Sequence, residues 1–319
     1  MTPARLALAF AARGRILLVA GVVLGIAVPP LARAMLPWVT PLIFVLLFLS
    51  ALRVGPAGMA PRGGALRRGL GQMLAMQLAL PLAVLALFWL AGVAGHMLAI
   101  AVVLVLAAPP LTGSPGLAVL SGADPAPALR QVVIGTAALP VTSLIVLGLI
   151  PFPGEIEAGA PFSMALRLVG IIGLAGAMAW LIRRSFPYWG EAEGQQIIDG
   201  GLALAMGLVV IGLMAATGPA IMAADPALIW SMGLACGLCF GLQVVTFRVM
   251  RGRGGDDPAS IALLAGNRNM VLFLGALPPD LVAGILLFVG CYQVPMYLTP
   301  LMARHLFGRR ENPAPPARS

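Results

Sequence analysis

Apolar residues occur in long stretches that are separated by short clusters of arginine, glycine and proline. Most stretches approach the roughly 20 apolar residues that a helix needs to cross the hydrocarbon core of a bilayer, and they lack the alternation of half-buried strands. The pattern therefore predicts about ten transmembrane helices. Their expected ranges are 16–31, 37–52, 70–91, 97–121, 128–150, 164–182, 197–217, 227–247, 259–277 and 281–303.

Composition supports this interpretation and excludes a water-soluble fold. Hydrophobic residues make up 60% of the chain and charged residues only 10%, whereas about a quarter of the residues in soluble domains are charged. The sequence predicts an all-α polytopic membrane protein, with residues 1–319 forming a single membrane domain in the lipid bilayer. The segment 311–319, rich in proline and alanine, is expected to be a disordered tail.

Charge placement predicts the orientation of the chain. All 20 basic residues are arginine, and the formal net charge is +9. Seventeen arginines fall on the side of the N-terminus, two (Arg33 and Arg167) fall on the opposite side, and Arg268 lies within a span. Because cytoplasmic loops collect arginine, both termini are expected in the cytoplasm and the protein in the cell inner membrane. Nucleic acid is not an expected partner, since the charges form no continuous basic patch.

Two alternative interpretations concern short motifs. The first apolar run follows Arg13 and Arg15 and ends near the small-x-small pattern at Ala32–Ala34, as in a cleaved secretory signal, but a retained first helix fits the helix count better. Cys236 and Cys239 could hold a metal, yet no histidine or carboxylate accompanies them, so no metal site or other cofactor is expected. Three glycines at four-residue spacing surround this pair and predict close helix packing: Gly233, Gly237 and Gly241.

Ten spans divide into two halves of five, residues 1–150 and 160–303. A half with an odd number of spans forces the next half to enter the membrane in the opposite orientation, which is the geometry of an inverted repeat. Spans four and nine occupy equivalent positions in the two halves. The sequence thus predicts a five-plus-five inverted repeat.

Both equivalent spans are interrupted near their centres. Span four contains Pro109–Gly116, where three prolines prevent a continuous helix, and span nine contains the polar segment Gly266–Asn269. A simple kink is the alternative for a lone proline. Freed backbone at membrane depth is tolerated only where protein or a water-filled cavity satisfies it. Helices four and nine are therefore predicted to be broken and to cross at a binding site near the midplane.

Arg268 lies midway along span nine, where a charged side chain costs about 2.5–3.5 kcal/mol. Snorkelling to the interface is the alternative, but the half-bilayer exceeds the reach of the side chain. No acidic residue lies within the span cores, and Asp199 is only near the start of span seven. Carbonyl ends of the half-helices are expected to hold the guanidinium, while amide ends bind an anion. The predicted substrate-binding residues are Thr112, Ser114, Asn267, Arg268 and Asn269.

These motifs together resemble the bile acid:sodium symporter family. The resemblance rests on Pro110–Pro115, Asp124-Pro125, Thr136 with Pro140, and Gly266–Asn269, and it spans nearly the whole chain. It implies ten helices in two inverted repeats, with helices four and nine broken where they cross. It also implies uptake of bile acids or other organic anions together with sodium.

The resemblance implies sodium ligands as well, and here the chain departs from the family. The implied ion-binding residues are Ser114, Thr136 and Asn269. Pro115 stands where the family has an asparagine ligand, Leu264 replaces a glutamate, and Arg268 replaces a glutamine. We therefore expect sodium coupling to be reduced or absent, with Arg268 supplying a tethered positive charge where relatives bind sodium.

A secondary transporter of small organic anions is the function that the sequence favours. A membrane sensor, receptor or channel-like protein that binds an organic anion is the alternative, because broken helices indicate a site without proving transport. An enzyme is not expected, since the only histidines, His96 and His305, lie at predicted loop edges. Protons are not the expected coupling ion, because a proton carrier needs a titratable group in the pathway and no Asp, Glu or His lies at a span centre.

Overall fold

A computed structural model describes residues 14–58, 63–153 and 159–308, and the elements of these residues are helices joined by short loops. The predicted tail 311–319 lies outside the described residues. The α-helices are α1 Gly14–Ala27, α2 Pro29–Met35, α3 Val39–Gly58, α4 Gly64–Met73, α5 Leu80–Leu90, α6 Met97–Ala107, α7 Ser114–Leu120, α8 Pro125–Leu149, α9 Ala160–Ser185, α10 Ala192–Leu213, α11 Thr217–Met222, α12 Pro226–Met250, α13 Pro258–Gly266, α14 Val271–Leu274 and α15 Pro279–Phe307. A π-helical segment, Leu74–Ala79, joins α4 to α5.

Seven helical segments in the described part of the chain are long and apolar enough to cross a membrane. They are Pro29–Gly55, Gly64–Leu90, Pro125–Leu149, Ala160–Ser185, Ala192–Leu213, Pro226–Met250 and Pro279–Ala303. Two shorter apolar helices accompany them, Leu17–Ala27 and Met97–Ala107. The predicted class of all-α polytopic membrane protein is thus confirmed.

Proline sets a helix boundary that the sequence pattern placed wrongly. The first helix was expected to extend to residue 31, but α1 ends at Ala27 and α2 begins at Pro29. Pro29 and Pro30 lack the amide hydrogens that would continue α1, whereas a proline is well tolerated in the first turn of a new helix. The apolar run therefore contains the end of one helix and the start of the next.

The helices pack into two groups. In the first helix group α10 lies against α1 and α3, and α3 also packs along α9. The second helix group contains α4 to α8 and α12 to α15, with α12 packed against both α13 and α15. The main direct contact between the groups joins α8 to α9.

Two helix pairs in the second helix group are interrupted, as the sequence predicted. The predicted span four corresponds to α6 and α7, with an irregular segment between Ala107 and Ser114. The predicted span nine corresponds to α13 and α14, with a gap between Gly266 and Val271. Helix α6 is apolar on all sides and α13 is apolar apart from Ser260, and nearly all their side chains are buried. Both breaks therefore lie inside the protein.

The glycines of α12 do not mediate the close packing that their spacing predicted. A Cβ atom added at Gly233, Gly237 or Gly241 would meet no atom within 4 Å among the described residues. The buried face of α12 instead carries Ser231, Ala235, Cys239 and Gln243. A four-residue spacing places residues on one face of a helix but does not say which face points inward.

Gly266, at the end of α13, is where a helix does approach the backbone of α12. A Cβ at this position would overlap the carbonyl oxygen of Cys239 and lie 2.6 Å from Cγ of Gln243. We expect Gly266→Ala to reduce the free energy of unfolding by about 1–3 kcal/mol through overpacking. Thermal unfolding in detergent would measure this. Gly237→Ala is the matched control, and a loss of the same size in both variants would contradict the prediction.

Candidate functional site

The two breaks meet through their backbones. Pro110 and Arg268 form an antiparallel bridge. The amide of Leu111 donates to the carbonyl of Asn267 at 2.9 Å, and the amide of Asn269 donates to the carbonyl of Pro109 at 2.8 Å. Extended backbone inside a membrane protein needs such partners, and each break supplies them to the other. The predicted contact between the breaks is confirmed by these two hydrogen bonds.

Arg268 is held at this crossing by carbonyl oxygens. Its side chain is buried, with 2% of the residue exposed. Nε donates to Ala265 at 3.0 Å, Nη1 to Ala108 at 3.1 Å and Nη2 to Met76 at 3.2 Å. Ala265 and Ala108 lie at the C-terminal ends of α13 and α6, where unpaired carbonyls carry partial negative charge. The expectation that carbonyl ends hold the guanidinium is confirmed.

The third acceptor comes from an irregular turn in another helix. Met76 belongs to the π-helical segment Leu74–Ala79, and such wider turns often occur at functional sites. The guanidinium thus joins three separate segments of the second helix group. Ion pairs among the described residues involve Arg53, Arg68 and Arg130, and Arg268 takes part in none of them. The positive charge of Arg268 is therefore stabilised by dipoles and not by a carboxylate.

Neighbouring polar residues satisfy the other carbonyls at the end of α13. The side-chain amide of Asn267 donates to the carbonyl of Leu263 at 2.8 Å, and its Oδ1 accepts from Thr299 at 3.3 Å. The hydroxyl of Tyr292 donates to the carbonyl of Gly266 at 2.7 Å. Asn267 is fully buried and its side chain is engaged within the protein. Its predicted contact with substrate would require these bonds to rearrange.

Two predicted ion ligands, Ser114 and Thr136, have hydroxyl groups that are buried without a hydrogen-bond partner in the described structure. The third, Asn269, is 9% exposed and donates its backbone amide to Pro109. Unpaired buried hydroxyls cost free energy, so they often mark a place where water, an ion or a ligand supplies the partner. Ser114 and Thr136 therefore remain candidates for binding water, an ion or a polar ligand.

Three cavities lie along the boundary between the two helix groups, and Thr112 lines all of them. The Asn269 cavity is lined by Thr112, Asn269, Gln293 and Tyr297 together with apolar side chains. The Thr136 cavity is lined by Ser50, Thr112, Thr136 and apolar residues. The Arg53 cavity is the third and has an empty volume of about 1230 Å³, part of it open to solvent. The break in helix four thus borders all three cavities.

Charge is confined to one of these cavities. Among the described residues that line them, the charged ones are Arg53 of α3 and Asp199 of α10, both in the Arg53 cavity. The remaining walls are apolar apart from a few hydroxyl and amide groups, such as Ser50 and Tyr297. Apolar walls with a few convergent polar groups are typical of small-molecule sites.

The structure separates the predicted site residues into two sets. Thr112 and Asn269 line a cavity, whereas Ser114, Asn267 and Arg268 are buried behind the cavity walls. The sequence prediction missed Gln293 and Tyr297, which line the Asn269 cavity from α15. Their signal was visible, since both are polar residues four positions apart in an apolar span. Arg53 was assigned only to a cytoplasmic loop.

Comparison with known proteins does not assign a family. The sequence matches no protein-family model, and a search of curated proteins found no match. The function is therefore inferred from the geometry and charge of the site.

Proposed function

We propose that this protein is a secondary transporter of small organic anions, similar to the bile acid:sodium symporters, with reduced or absent sodium coupling. The observation that carries the proposal is the contact of two broken helices at cavities between two helix groups. Transporters bind substrate at discontinuous helices and expose the site alternately by moving one helix group against the other. Thr112 and Asn269 are the proposed substrate contacts.

The proposed topology has ten spans in a five-plus-five inverted repeat. Nine of the ten apolar runs overlap one described helix or an interrupted helix pair, and the first run contains α1 and the start of α2. An even number of crossings agrees with the arginine distribution, which favours cytoplasmic termini and a location in the inner membrane. Cysteine accessibility at residues 95 and 190, which lie in loops on opposite predicted sides, would test this topology.

Reduced sodium coupling is proposed because Arg268 occupies a cluster of carbonyl oxygens that would otherwise attract a cation. A sodium ion about 4 Å from the guanidinium would be repelled by on the order of 4 kcal/mol at an effective dielectric constant of 20. Leu264 supplies no carboxylate to offset this repulsion. Ser114 and Thr136 are left as ligands for a single weak sodium ion.

Uptake by proteoliposomes tests the proposal. We expect the protein to accumulate a carboxylate, sulfonate or sulfated steroid, with a sodium Hill coefficient no greater than one. An imposed pH gradient is not expected to drive accumulation. Empty liposomes and liposomes with heat-denatured protein are the controls. Steep cooperativity between two sodium ions would contradict the proposed role of Arg268.

A sensor or receptor is the second candidate function. The supporting observation is that the hydroxyls of Ser114 and Thr136 are unpaired and buried. Unpaired buried hydroxyls favour binding of a ligand, but they do not require the ligand to pass through the membrane. Saturable anion binding in detergent without flux into proteoliposomes would favour this alternative over transport. A channel would instead give flux that does not saturate in the same concentration range.

A further inference from the structure

The Arg53 cavity contains an ion pair in which both partners are accessible. Arg53 donates through Nε and Nη2 to the two carboxylate oxygens of Asp199, the second bond measuring 3.2 Å. The side chains are 43% and 36% exposed. The two residues come from neighbouring helices of the first helix group, α3 and α10. The guanidinium of Arg53, with two donors directed at a carboxylate, therefore lies on a cavity wall that a ligand can reach.

The chemistry of this wall matches one class of ligand. Carboxylates and sulfonates bind guanidinium in the same two-bond arrangement that Asp199 uses. Around the ion pair the lining is largely apolar and includes Leu202, Met206 and Val54. A ligand with one anionic group and an apolar body would place the anion on Arg53 and its body against these residues.

We propose that Arg53 binds the anionic group of the ligand in the Arg53 cavity, and that Asp199 occupies this position as an internal competitor when the ligand is absent. The inference rests on the proposed function, since it names the residue that recognises the charge of the organic anion. An exposed ion pair is weak, because solvent screens it and side-chain entropy opposes it. Asp199 can therefore be displaced.

The test measures binding of benzoate and benzenesulfonate to the purified full chain in lipid nanodiscs by calorimetry. Asp199→Asn removes the competitor while preserving the shape of the side chain. We expect it to lower the dissociation constant of both anions about fivefold, the upper range for an exposed ion pair. Benzyl alcohol, an uncharged probe of similar shape, should show no change.

A second comparison isolates the contribution of Arg53. Asp199→Asn and the double variant Arg53→Gln/Asp199→Asn both lack the carboxylate, so they differ only at Arg53. We expect the double variant to bind both anions about tenfold more weakly than the single variant, as expected for loss of a bidentate guanidinium contact. Thermal unfolding of each variant verifies that it is folded.

Glu193→Gln is the matched control for net charge. Glu193 lies on the same helix as Asp199, near its N-terminus, and does not line the Arg53 cavity. Its removal should leave both dissociation constants unchanged. The inference would be overturned if Glu193→Gln changed the dissociation constants as much as Asp199→Asn does. It would also be overturned if Asp199→Asn bound the anions no more tightly than the parent protein, or if the double variant bound them as tightly as Asp199→Asn. A failure of both anions to bind Asp199→Asn would overturn it too, whereas the proposed function depends on the separate uptake experiment.

Discussion

Arg268→Gln is expected to destabilise the protein and to lower anion uptake together. The guanidinium bonds to three carbonyls from separate segments, at Ala265, Ala108 and Met76. Glutamine is shorter and carries no charge, so it cannot satisfy all three. Each buried carbonyl oxygen that is left without a hydrogen-bond donor costs about 1–3 kcal/mol. Thermal unfolding and proteoliposome uptake would measure the two effects.

A chemical rescue experiment separates loss of the charge from loss of packing. Arg268→Ala leaves space at the carbonyl cluster, and free guanidinium carries the same donors as the missing side chain. We expect guanidinium chloride, well below denaturing concentration, to raise the unfolding temperature of Arg268→Ala by mass action. The same salt should not stabilise the parent protein, where Arg268 already fills the site.

The controls for rescue are sodium chloride and tetramethylammonium chloride at equal ionic strength. Neither offers planar donors, so neither should match guanidinium. If sodium chloride raised the unfolding temperature of Arg268→Ala as much as guanidinium does, the carbonyls would form a general cation site. Arg268 would then contribute only its positive charge and not its planar set of donors. If Arg268→Gln lost no stability, the guanidinium would not be the link between the broken helices. Arg268→Gln should also show no stronger dependence on sodium than the parent protein, because Leu264 supplies no carboxylate.

The helix breaks were predictable because their cause is local. Pro109 and Pro110 remove amide donors, and the polar segment Gly266–Asn269 interrupts an apolar run. The contact between the breaks followed from the symmetry of two halves and from the need to satisfy freed backbone.

The partners of Arg268 were only partly predictable. Helix C-termini attract cations, so carbonyl ends were expected, and Ala108 and Ala265 fit that rule. Met76 was not expected, because its availability depends on the π-helical segment Leu74–Ala79, which has no evident signature in the apolar pattern. The Arg53 cavity was missed for a related reason. An arginine near the end of a span is usually a topology signal, and only the packed structure places Arg53 opposite Asp199.

Thr112→Trp is expected to abolish most anion uptake while leaving the protein folded. Thr112 lines all three cavities between the helix groups, so a large ring at this position would take up space that the substrate needs. Overfilling a packed site costs about 1–3 kcal/mol, which corresponds to a loss in substrate affinity of about fivefold to about 150-fold. Uptake and binding of the same anion would be measured in parallel.

Two variants control for the nature of the change at Thr112. Val119→Trp adds the same ring on α7 at a residue that is 59% exposed and does not line the three cavities, so uptake should persist. Thr112→Val keeps the volume and removes the hydroxyl, which separates filling of the cavities from loss of a polar contact. Uptake by Thr112→Trp at the parent rate would mean that the anion does not pass through these cavities. In that case the crossing of the broken helices would hold the second helix group together without forming the substrate site.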